Sequence, residues 1–106
     1  MIVFSPGTTE YVTVAVSTEE DPTDWPAEIG FSDEEDVPPD TWHDAGWKDG
    51  FGSDKVDGRY RKVWYVQVLV GPVGDVTLAE GTWYVWLKAD TGAEVPVRMV
   101  GSLVIK

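Results

Sequence analysis

The sequence predicts an all-β domain of the sandwich type, and three observations predict it. Apolar residues make up 42% of the 106-residue chain and fall in short alternating runs. Period-two alternation is the mark of a strand with one face buried. Glycine, proline and aspartate clusters interrupt these runs at intervals of roughly ten residues, the spacing of an antiparallel sandwich. No segment carries the three-to-four residue periodicity of an amphipathic helix.

The elements follow in chain order. Tyr11 to Val16 alternates Val12, Val14 and Val16 against Tyr11, Thr13 and Ala15, which predicts the first strand. Residues 18–26 carry Glu19, Glu20, Asp21, Pro22, Asp24 and Pro26 and predict a surface loop. A short strand is expected over Ala27 to Phe31. Asp33, Glu34, Glu35 and Asp36, followed by Pro38 and Pro39, resist burial and predict a second exposed loop. From Thr41 to Lys62, Trp42, His43, Trp47 and Phe51 are scattered among glycines and aspartates, which allows a pair of short edge strands with a mobile tip.

Val63 to Val70 is the strongest strand of the chain. Trp64, Val66, Val68 and Val70 lie on one face and Val63, Tyr65, Gln67 and Leu69 on the other, so it is expected at the centre of the sheet. Gly71, Pro72 and Gly74 turn the chain, Asp75 to Leu78 is expected as a short strand, and Glu80-Gly81 turns it again into the aromatic strand Trp83 to Lys88. After a turn at Asp90 to Gly92, Pro96 to Arg98 and Ser102 to Ile105 form two last extended segments. Gly101 between them marks a bulge or a change of sheet.

The length suits one domain over 1–106 with a single modest core. Acidic, proline-containing surface loops are expected around 18–26 and 32–62. The chain has no cysteine, so packing rather than disulfides holds it, and six tryptophans contribute to that packing. The start of the chain lacks the basic and long apolar character of a signal peptide, and no apolar run reaches membrane-spanning length. Synthesis in the cytoplasm is the expectation. A net charge of −11 repels phosphate backbones and anionic lipid, which argues against direct nucleic-acid or membrane binding.

The half-chain from Trp64 to Ile105 carries further detail. It reads Val68-Leu69-Val70-Gly71-Pro72, Val76-Thr77-Leu78, Gly81-Thr82-Trp83-Tyr84-Val85-Trp86 and Glu94-Val95-Pro96-Val97-Arg98, then Gly101 and Leu103-Val104-Ile105. This resembles small virion proteins of tailed bacteriophages of actinobacteria, a group similar to the immunoglobulin-like N-terminal domain of phage baseplate proteins. The resemblance implies an immunoglobulin-like antiparallel β-sandwich of about seven to eight strands. It also implies a place in the virion, as a capsid-associated decoration or a head-tail connector. Its partners would be other virion proteins (capsid, connector or tail subunits) or further copies of itself. Sandwiches of this type often place a tyrosine after Gly-x at the start of a late strand, bonded to nearby backbone. Trp83 stands there, and its indole can pack and donate the bond instead.

The candidate contact residues are Trp25, Trp42, Trp47 and Phe51. The three tryptophans are either an aromatic surface that anchors a partner or caps over the open edges of the core. Tyr65, Tyr84 and Trp86 occupy the second faces of their strands and are either core or a flat aromatic platform, with the core expected for Tyr84 and Trp86, which flank Val85. A second function class, a carbohydrate-binding module, would stack sugars on Trp42, Trp47 and Trp25, with aspartates holding the hydroxyls. A third is an inhibitor that uses its negative charge as a decoy for a basic surface.

No catalytic residue, cofactor or metal site is assigned. His43 is the only histidine, and no motif sets a base beside a serine, threonine or lysine. Asp33 to Asp36 and the aspartates at 49, 54 and 57 lack the ligand spacing of a calcium loop. The chain is therefore expected to bind or assemble rather than catalyse.

Overall fold

The computed structural model describes residues 2–5, 7–18, 20–56 and 58–106, and among them it is all-β, with no helix. The strands are β1 (Ile2–Phe4), β2 (Glu10–Ser17), β3 (Ala27–Ser32), β4 (Trp42–Trp47), β5 (Gly52–Val56), β6 (Arg59–Val70), β7 (Gly81–Ala89) and β8 (Val97–Ile105). They join in one mixed sheet of order β1-β8-β7-β3-β4-β6-β2, with β5 attached to β6. Every strand pair is antiparallel except β1 with β8, where Ile2 to Phe4 run parallel to Leu103 to Ile105.

The sheet curls because β4 serves two neighbours. Trp42 to Ala45 pair with β3, whereas Gly46 and Trp47 pair with β6. The two arms thus share one core, built from Phe4, Val12, Val14, Ala27, Ile29, Phe31, Val66, Val68, Val70, Val76, Val85, Leu103 and Ile105. Ile29, Val66 and Leu103 are completely buried. Ala45, Trp47, Trp83 and Leu87 pack against this cluster from its margins.

Val63 to Val70 was expected at the centre of the sheet but is instead next to last in its order, an interior strand flanked by edge strand β2 along its whole length and by β4 at Val66 and Gln67. Gly71 ends it at φ 138°, where a Cβ would collide with the backbone of Thr8 and Thr9. Only glycine fits that close approach.

Several boundaries differ from the expectations. β6 begins at Arg59 rather than Val63, because pairing with β5 extends it through four charged or polar residues that alternation cannot register. β1 was not predicted, since three residues are too few to show a period. Asp75 to Leu78 is not a strand but a turn with a single bridge, Val76 to Val70. The two last extended segments are one strand, β8, with an irregularity opposite Val85 and Trp86. Gly101 thus marks a bulge and not a change of sheet.

Candidate functional site

Alternation along β4 decides which tryptophans can act together. Ala45 and Trp47 pack on the core, so Trp42, Asp44 and Gly46 occupy the other face. Trp42 and Trp47 therefore project from opposite sides of one strand. Trp47 is half-buried, and its Nε1 donates to the Trp25 carbonyl at 2.9 Å. Trp25 is itself half-buried, and its amide closes a turn onto the Pro22 carbonyl at 2.9 Å. Together they peg the 22–26 turn to β4 and cover a margin of the core.

Phe51 is 57% exposed. Its ring sits 5.7 Å from that of buried Trp64, and the Lys62 ammonium stands 4.7 Å from its centroid. An open cleft of about 420 Å³ runs beside Trp64, lined by Asp21, Thr23, Trp47, Lys48, Asp49 and Trp64 among others. Asp21 accepts from the Thr23 hydroxyl at 2.6 Å and from its amide at 2.9 Å. These bonds favour the carboxylate and lower the Asp21 pKa from its ordinary 3.8.

Trp42 belongs to a different surface, the outer face of β4, β3, β7 and β8. Register places Gly30 opposite Trp42, Trp86 opposite Gly30, and Met99 opposite Trp86. Gly30 is what allows this row to close up. A side chain there would strike Pro39 and come within 3.0 Å of the Trp42 ring, so both occupy the space above the glycine. The Lys88 ammonium lies 4.5 Å from the Trp42 centroid and 3.6 Å from Glu28 Oε1. Glu28 is paired with Lys88 on one side and Asp44 on the other, so Lys88 offsets two facing acids. At half-exposed positions such contacts contribute at most about 1 kcal/mol each, and their main effect is to hold the ring.

Tyr84 and Trp86 were expected in the core and are instead half-buried on this outer face, because Val85 between them takes the core position. Trp86 Nε1 is buried without a hydrogen-bond partner among the described residues. The row was hidden in the sequence because β7 is apolar on both faces, and alternation alone does not say which face is inside.

The remaining candidates stay apart. Asp33, Glu34, Glu35 and Asp36 are exposed; Ser32 Oγ organises their turn by bonding the Glu34 amide and carbonyl, and Asp36 takes φ 61°. No group of three or more acids or histidines is poised to hold a metal among the described residues. Asp57 lies outside those residues. His43 is half-buried, 6.3 Å from the Phe31 ring. No family model matches this chain, and neither the curated proteins nor the solved structures yield a match.

Proposed function

We propose that this chain is a structural subunit of a bacteriophage particle, an immunoglobulin-like sandwich that docks on other virion proteins through the outer face of β4, β3, β7 and β8. The observation that carries the docking surface is the cross-strand row Trp42, Gly30, Trp86 and Met99. Tryptophan and methionine flanked by Lys88, Glu28 and Asp44 make an apolar strip with a charged border, the composition of a protein interface. Met99 gives the strip exposed apolar surface at its β8 end.

Two features support the immunoglobulin-like part of this reading. The runs β8-β7-β3 and β2-β6 reproduce the neighbour order of the last, sixth and third strands and of the second and fifth strands in a seven-strand immunoglobulin sandwich. Trp83 Nε1 donates to the Ala79 carbonyl at 2.9 Å, the tether back to upstream backbone that a tyrosine makes in that fold. The likeness of the Trp64 to Ile105 half to actinobacteriophage virion proteins supplies the particle.

Sugar binding is the weaker reading, because Trp42 and Trp47 face opposite sides of β4 and Trp47 is bonded to Trp25. The test is quantitative mass spectrometry of purified particles from the phage encoding this chain. A fixed ratio to the major capsid protein is expected, and the ratio separates a capsid decoration from a ring at the head-tail joint. Absence from the particles overturns the reading.

A further inference from the structure

β2 ends the sheet, and among the described residues nothing pairs with its outer edge. Proteins usually blunt such edges with lysine, proline, a bulge or shortness. β2 has none of these: it runs eight residues, Glu10 to Ser17, in unbroken register with β6, and Glu10 is its only charged residue. A groove of about 340 Å³ separates it from β8, with Val12 and Val14 on one wall and Val100 and Ser102 on the other. The outward side chains Tyr11, Thr13, Ala15 and Ser17 are all exposed.

We propose that a second copy of this chain pairs antiparallel with that edge, making a two-fold dimer whose sheet runs β6-β2-β2-β6. Two features of β2 point to a copy of itself. The first is symmetry about Val14. In a pairing centred there, Val12 meets Val16, Thr13 meets Ala15 and Tyr11 meets Ser17, so the core-side valines and the outer-side residues keep to their own faces.

The second is charge. The same register sets Glu10 of each copy opposite Thr18 of the other. Thr18 lines a cleft of about 340 Å³ with Ser17, Arg61 and Lys62. The acid at one end of each strand thus arrives at two cations at the far end of its neighbour, twice by symmetry. In a chain of net charge −11 two copies repel, and setting Glu10 against Arg61 and Lys62 at both ends offsets part of that repulsion. The surface is distinct from the Trp42–Trp86 row, and the inference stands without the virion reading.

Sedimentation velocity of the purified chain over a concentration series tests it. Mass is expected to move from 11.7 kDa toward twice that value as concentration rises. Thr13→Lys/Ala15→Lys sets lysine against lysine across the interface on an exposed face, and should weaken association at least about tenfold although it lowers the overall negative charge. Circular dichroism confirms that this variant is folded. If it is not, Glu10→Lys decides: it should weaken association about threefold or more, and adding Arg61→Glu/Lys62→Glu should restore it. A chain that stays monomeric up to about 1 mM overturns the proposal. So does a dimer that neither the folded double-lysine variant nor Glu10→Lys weakens.

Discussion

The two ends of β6 are one continuous strand under two different regimes. From Val63 to Val70 it is flanked by β2 and β4, and Val66, Val68 and Val70 are 0–2% exposed. From Arg59 to Lys62 its only named partner is β5, every residue is exposed, and Tyr60 reaches 78%. The inner end is held by packing across the curled sheet, the outer end by its pairing with β5 and the Lys62 contact with Phe51. Charge divides at the same place. Residues 48–62 contain five of the eight cationic side chains and three of the nineteen acids, so they carry +2 while the rest of the chain carries −13. Strand geometry is thus indifferent to composition where nothing covers it, and composition becomes free to serve something else.

The comparison breaks most severely at the turn that closes the inner end. Gly71→Ala combines a left-handed backbone with a collision against Thr8 and Thr9. It should cost about 2–5 kcal/mol in urea denaturation, with a lower midpoint and unchanged slope. Within the strand, Val66→Ala should cost about 2–3 kcal/mol by leaving a cavity at a fully buried site. Tyr60→Ala, six residues away, should stay within about 0.5 kcal/mol. Equal losses at the two sites would mean that the hairpin is packed as the core is.

The smallest effect sits at the boundary, where Asp21 and Trp64 line the same cleft. Asp21 is held below its ordinary pKa of 3.8 by Thr23, so the stabilisation is present at neutral pH and fades as pH falls through the lowered value. An NMR titration should place the Asp21 midpoint below 3.8, and Thr23→Val should raise it by removing the hydroxyl bond. A midpoint unmoved by that substitution would show the bond to be absent in solution.

What the sequence made legible follows from the same division. Val63 to Val70 could be read because its buried face demands the apolar residues Trp64, Val66, Val68 and Val70, alternating with half-buried Tyr65, Gln67 and Leu69. Arg59 to Lys62 could not, because an exposed ribbon accepts any side chain that tolerates extended backbone. The positions of Trp25 and Trp47 at the core margin match one of the two roles their surroundings allowed. Trp42 separated from them only once its strand phase was known. Trp86 was expected in the core rather than on an aromatic platform, and Met99 was missed, because their place depends on cross-strand register, which joins residues 42, 30, 86 and 99 from four separate stretches of chain.

The irregularity in β8 bears on that row in one further way. Val85 pairs with Gly101, but Trp86 pairs with Met99, so Val100 is an extra residue on one strand only. Uninterrupted register would have set Lys88 against Arg98 on the outer face and turned Met99 inward beside Leu87. The inserted residue instead brings Met99 next to Trp86, pairs Lys88 with Val97, and moves Arg98 to the row of Leu87. Without the bulge, Val100 would replace Met99 opposite Trp86 and the strip would end in a Lys88–Arg98 pair, while the core residues beyond it, Leu103 and Ile105, kept their places. One extra residue in β8 thus decides which side chain completes the row beside Trp86.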